Sequence, residues 1–90
     1  MKFSPVQSIL ISMKILLVED NTKLAKNIKQ GLTQEGFAVD TEEDGLAAER
    51  KVLVNRSEYD LVILDRMLPG KDGLSICLHW RENEVHVPVL

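Results

Sequence analysis

Two uninterrupted apolar runs, Ile15-Leu16-Leu17-Val18 and Leu61-Val62-Ile63-Leu64, restrict what this chain can fold into. A strand with one wet face alternates apolar and polar residues, whereas a strand covered on both faces does not. Each run stops abruptly at acid, at Glu19-Asp20 after the first and at Asp65 after the second. Between the runs the period changes to that of helices. From Asn21 or Thr22, either of which suits an N-cap, Leu24, Ala25, Ile28 and Leu32 recur on one helical face, and Gly36 supplies the stop. Phe37, Val39 and Thr41 then alternate with Ala38 and Asp40 as a short strand. Asp44-Gly45 turns the chain into a second helix, predicted over roughly 46–56, with Leu46, Ala47, Leu53 and Val54 as its apolar face.

Beyond Asp65 comes a loop, Pro69-Gly70-Lys71-Asp72-Gly73, in which Asp72 is a suitable cap for a third helix. Leu74, Cys77 and Leu78 are expected on that helix's inner face. Trp80, one turn beyond Ile76, reads either as core or as exposed. Val87-Pro88-Val89-Leu90 reads as the start of a fourth strand, since proline is tolerated at a strand's beginning. Strand alternating with helix in this way predicts an α/β fold, a parallel sheet with right-handed crossovers. In such sheets the working crevice lies outside the carboxyl ends of the strands.

The chain has 90 residues, enough for one domain and too few for a two-domain enzyme. Eleven basic against 14 acidic residues leave a net charge of −3, which gives no electrostatic footprint for direct nucleic-acid contact. One cysteine permits no internal disulfide, which suits a reducing cytoplasm. No apolar stretch approaches a membrane span. Residues 1–12 read as an N-terminal extension, because Met13-Lys14 opens the first strand and the apolar run before it is too short for a signal peptide. The domain is therefore expected over 13–90.

If the two apolar strands are neighbours, Glu19, Asp20 and Asp65 converge. Like charges so placed repel unless a cation neutralises them. An all-oxygen, partly hydrated donor set favours a hard ion such as Mg²⁺, beside which a carboxylate can act as a nucleophile toward phosphorus. A single acid after a strand is more often a loop residue or cap. Three acids closing two fully apolar strands favour the metal site.

The segments Lys14-Ile-Leu-Leu-Val-Glu-Asp20 and Tyr59-Asp-Leu-Val-Ile-Leu-Asp-Arg-Met-Leu-Pro-Gly-Lys-Asp-Gly-Leu74 resemble the receiver domain of bacterial two-component response regulators. The Met-Leu-Pro-Gly-x-Asp-Gly-Leu loop is most similar to the subclass whose receivers precede a winged-helix DNA-binding domain. The resemblance covers residues 13–90 and implies a flavodoxin-like sheet, incomplete here, that runs to the start of strand four. It implies that Asp65 is the phosphoacceptor, taking a phosphoryl group from a sensor histidine kinase. It further implies that Asp20 ligates Mg²⁺ directly, that Glu19 acts through metal-bound water, and that Met67 offers its backbone carbonyl. Pro69 and Gly70 then shape the loop that holds this carbonyl inward. The implied setting is phosphorelay control of transcription in the bacterial cytoplasm, by a signalling domain rather than an enzyme.

The family places a Ser or Thr at the end of strand four and a Lys at the end of strand five, both beyond Leu90. Helices four and five also lie beyond it. An apolar patch and an open edge are accordingly expected near 87–90, with instability, self-association or strand exchange of the 90-residue chain. Two rival functions stand beside the receiver. One is a non-catalytic fragment that self-associates or binds a kinase or an intact receiver. The other is a metal-dependent phosphohydrolase of the haloacid-dehalogenase type, against which Met67 stands where such enzymes carry a second Asp. His79 and His86 lack partners at metal-ligand spacing and are expected to be exposed or loosely packed, while Cys77 is expected to pack as a small hydrophobe rather than react. Lys23, Lys26 and Lys29 read as a solvated helix face.

Overall fold

The computed structural model describes residues 13–55, 58–65 and 72–90. In chain order they form β1 (Lys14–Val18), α1 (Thr22–Gln34), β2 (Ala38–Glu42), α2 (Gly45–Val54), β3 (Leu61–Leu64) and α3 (Gly73–Glu82). The sheet order is β2-β1-β3, all parallel, with Val18 level with both Glu42 and Leu64. A parallel bridge from Val62 to Val89 begins a fourth position beyond β3, carried by hydrogen bonds from Val62 N–H to the Pro88 carbonyl (2.9 Å) and from Leu90 N–H to the Val62 carbonyl (2.8 Å).

The apolar runs behave as their composition requires. Ile15 and Leu17 face one side, with Ala25 and Val39 and with the half-buried Ile28 and Leu32 of α1. Leu16, Val18 and Val62 face the other, packed against Ala48 and Val52 of α2 and Ile76 and Trp80 of α3. Both sides of β1 are thus covered, which removes the need for alternation.

Each helix begins on a side-chain cap. The Asn21 side chain accepts from Leu24 N–H (3.0 Å), Asp44 from Leu46 N–H (2.7 Å), and Asp72 from Ser75 N–H (3.1 Å). The Ser75 amide holds the Asp72 carboxyl below the usual aspartate range, and the Ser75 hydroxyl adds to this. α1 ends where Gly36 takes a φ of 101°, with Phe37 N–H donating to the Leu32 carbonyl and Gly36 N–H to the Thr33 carbonyl. This is the glycine-dependent helix stop expected there.

Two helix faces differ from expectation. On α2 the buried residues are Gly45, Ala48, Glu49 and Val52, while Leu46 and Val54 are exposed. On α3 they are Gly73, Ile76 and Trp80, while Leu74 and Leu78 are exposed. Trp80 decides the second case. Its ring fills the space between α3, α2 and the sheet, and its indole N–H donates to the Glu49 carbonyl at 3.2 Å. Small residues on α2 leave room for it, so the helix turns its tryptophan inward and its leucines outward. α2 also ends earlier than expected, at Val54, and β2 starts one residue later, at Ala38.

The amino ends of the strands carry a polar cluster. Lys14 N–H donates to the Asp60 carboxylate (2.7 Å), and Lys14 Nζ reaches Asp40 (3.4 Å) and Glu58. The Tyr59 hydroxyl donates to Asp40 (2.7 Å). That bond, with Lys14 nearby, lowers Asp40, while burial and then Asp40 raise Tyr59 well above an ordinary phenol.

Candidate functional site

The strand register builds the site at the opposite end of the sheet. Because Val18 and Leu64 are level, Asp65 N–H donates to the Val18 carbonyl (3.1 Å), and Glu19 N–H donates to the Glu42 carbonyl (2.9 Å). Parallel pairing therefore continues one residue past each apolar run and sets the acids side by side. Carboxylate oxygens of Glu19, Asp20 and Asp65 all lie within 4.8 Å of one another, the only such group of three among the described residues. Asp20 is exposed and the other two are half-buried.

Glu19 records the crowding. The Asn21 amide, donating to Glu19 Oε2 at 3.1 Å, pulls its carboxyl down. Partial burial, the charge of Asp65 and hydrogen bonding with Asp20 and Asp65 together outweigh that pull, and the net shift is upward. The crowded carboxylates thus push Glu19 toward its neutral form. The cluster's donors are all hard oxygens, so the residues present fit a Mg²⁺-type ion, which keeps several waters and takes one or two carboxylates. The cluster opens at the carboxyl edge of the strands and leads directly into the capped start of α1.

The structure thus brings together Glu19, Asp20 and Asp65 from the expected set. Met67, Pro69, Gly70, Arg66 and Lys71 lie outside the described residues, as does the N-terminal extension over 1–12. His86 sits at the surface, 3.7 Å from Glu84. The His79 side chain is part-exposed, and its Nδ1 lies 2.8 Å from the buried carboxylate of Glu49. Nothing in the local sequence pairs these two residues, which are on different helices. Among the described residues no helix is long and apolar enough to cross a membrane.

A parallel sheet in the order β2-β1-β3, with an acidic cluster at its carboxyl edge, has the arrangement of a flavodoxin-like domain. The family model of the response regulator receiver domain matches residues 15–90, and the chain belongs to that family. The chain is 44% identical over 78 residues to the transcriptional regulatory protein TcrA of Mycobacterium tuberculosis, covering 87% of this chain and 30% of that protein. It spans about a third of the length of the curated relatives it matches, which are transcriptional regulatory proteins. Among solved structures, the receiver domain of sensor histidine kinase PA1611 from Pseudomonas aeruginosa is 35% identical with a TM-score of 0.78, covering 87% of this chain and 64% of that one. That structure holds a magnesium ion in its active-site cleft. A chain from the complex of histidine kinase ThkA with response regulator TrrA is 34% identical with a TM-score of 0.76, covering 86% of this chain and 65% of that one.

Proposed function

We propose that this domain accepts a phosphoryl group on Asp65 from a phosphohistidine of a sensor kinase, in the cytoplasm, as the input step of a transcriptional regulator. The observation that carries the reading is the convergence of Glu19, Asp20 and Asp65 at the carboxyl edge of β1 and β3. An Asp65 carboxylate oxygen attacks phosphorus, the P–N bond to the donor imidazole breaks, and an acyl phosphate forms. The electron pair of the broken bond leaves with the imidazole nitrogen. Asp20, Asp65 and Glu19 are the described residues that would hold Mg²⁺, with the Met67 carbonyl as a fourth donor. Bound there, the ion supplies positive charge against the carboxylates and the transferring oxygens. The kinase in the ThkA–TrrA complex and the magnesium in the PA1611 receiver support this partner and this ion for the present chain. The reading makes the domain a signalling module without turnover of its own, and residues 1–12 an extension preceding it.

The test is phosphorylation by a small acyl phosphate or phosphoramidate with Mg²⁺, followed by intact mass. The wild-type chain gains one phosphoryl group and Asp65→Asn gains none. Equal labelling of the variant would remove Asp65 from the role.

A second reading, self-association, is favoured by a specific surface. Leu64, Gly73, Leu74, Cys77, Val89 and Leu90 line a groove of about 230 Å³, and Leu74 and Leu90 are 70% and 76% exposed. Contiguous apolar surface beside a strand edge promotes pairing between copies. Light scattering of the 90-residue chain is expected to give a mass above that of the monomer, rising with concentration. A concentration-independent monomer would end this reading.

A further inference from the structure

The turn after α3 is built on an unusual backbone. Glu84 has a φ of 62°, in the left-handed region, and is the only residue other than glycine found there among the described residues. Val85 N–H donates to the Trp80 carbonyl (2.9 Å) and Glu84 N–H to the Arg81 carbonyl (3.2 Å). This is the helix stop that glycine usually closes, because a Cβ disfavours the left-handed conformation. The Glu84 side chain does not account for its place, since it is 87% exposed and its contact with exposed His86, at 3.7 Å, is a weak surface one. Arg81 holds the far side of the turn. Its Nη1 donates to the Val85 carbonyl (2.7 Å) and its Nη2 to the Val87 carbonyl (3.0 Å), while the Val85 and Val87 side chains are buried in the same core cluster as Trp80. Just beyond, residues 88–90 join the sheet through three backbone bonds, from Val62 N–H to the Pro88 carbonyl (2.9 Å), Leu90 N–H to the Val62 carbonyl (2.8 Å) and Leu64 N–H to the Leu90 carbonyl (3.0 Å).

A short run tied to a sheet edge by so few bonds opens easily unless something else anchors it. A planar guanidinium holds two carbonyls at once in a fixed fork, and a charged donor makes stronger hydrogen bonds than a neutral one. We infer that Arg81 is a two-point strap that docks the segment 85–90 on β3, with Glu84 as the strained hinge on which that segment opens. Closed, the strap keeps Val85 and Val87 in the core and Val89 level with Val62. Open, Glu84 relaxes to a right-handed backbone and the segment leaves as a unit, which bares the amides of Val62 and Leu64. Leu64 directly precedes Asp65, so the strap fixes the flank of β3 next to the acidic cluster without using any residue of that cluster. It stands whether or not Asp65 accepts phosphoryl.

The test is amide hydrogen exchange of the 90-residue chain, read residue by residue, for the wild type and Arg81→Lys. Lysine keeps the charge and the aliphatic stem but not the fork. The amides of Val62, Leu64 and Leu90 are expected to exchange about tenfold faster or more in the variant, as the loss of one charge-assisted bond requires. Those of Glu19 and Ala38, bonded to the Glu42 and Met13 carbonyls, are expected to keep their wild-type rates. Unchanged rates at Val62, Leu64 and Leu90 overturn the strap. Equal acceleration at all these amides overturns it too, since a merely structural loss of stability does that. Glu84→Gly guards against a lysine variant that fails to fold. It removes the backbone strain and leaves Arg81 in place, so Val62, Leu64 and Leu90 are expected to exchange more slowly than in the wild type. Equal or faster exchange there overturns the proposal as well.

Discussion

Trp80→Ala is expected to leave the chain largely unfolded at room temperature. Trp80 is fully buried and joins three layers, touching the core cluster that contains Leu16, Val62, Ala48, Val52 and Ile76. Truncating a buried aromatic costs about 3–5 kcal/mol, through lost transfer energy and the cavity left behind. A domain of this size has a total stability of roughly 4–13 kcal/mol, and its core is thin because small domains bury a smaller fraction of their surface. The variant also loses the indole N–H given to the Glu49 carbonyl. Urea titration followed by far-ultraviolet circular dichroism measures the outcome, since the chain's single tryptophan is gone. A midpoint within about 1 kcal/mol of wild type would mean that the core closes around the gap, contrary to the packing described. Trp80→Phe is the graded control, keeping most of the ring and costing about 1 kcal/mol for the lost hydrogen bond.

That tryptophan, which the sequence leaves open between core and surface, lies on the helix face opposite to the one that the leucines of α3 suggest. The strands were legible because burial on both faces writes an unbroken apolar run, and parallel pairing in register makes the acids after both runs neighbours. The caps at Asn21 and Asp72 were legible because capping is local chemistry, decided within three residues. The faces of α2 and α3 were not, since each helix carries apolar residues on two sides. Leu74, Cys77 and Leu78 compete with Gly73, Ile76 and Trp80, and periodicity fits both. What separates them is the volume available opposite each face, a property of α2 and the sheet together. The Glu49–His79 and Tyr59–Asp40 contacts were hidden for a related reason. They join residues far apart in the chain, and no local pattern records which surface acid a fold will draw inward.

The acidic cluster yields the last large effect. Magnesium is expected to raise the thermal midpoint of the wild-type chain, and Asp20→Asn to abolish most of that rise. Glu19 is held above its ordinary value of 4.5 chiefly because burial and the charge of Asp65, with hydrogen bonds to its acidic neighbours, exceed the opposing pull of the Asn21 amide. A carboxyl raised in the folded state binds its proton more tightly there than in the unfolded chain. The metal-free fold is therefore favoured as pH falls toward the raised range and penalised as pH climbs above it. Glu19→Gln removes that penalty, and without metal its midpoint at neutral pH is expected to exceed that of wild type. An ion that binds only the folded chain stabilises it by about 2.7 kcal/mol at a hundredfold excess over its Kd. For a domain of this size that is roughly 10 °C or more. Sodium chloride at matched ionic strength separates binding from simple screening of the three charges. A rise common to both salts, undiminished in Asp20→Asn, would reduce Glu19, Asp20 and Asp65 to solvated acids that happen to share a sheet edge. A rise specific to magnesium and lost in Asp20→Asn would tie the register of β1 and β3 directly to ion binding, because that pairing is what sets Asp65 beside Glu19 and Asp20.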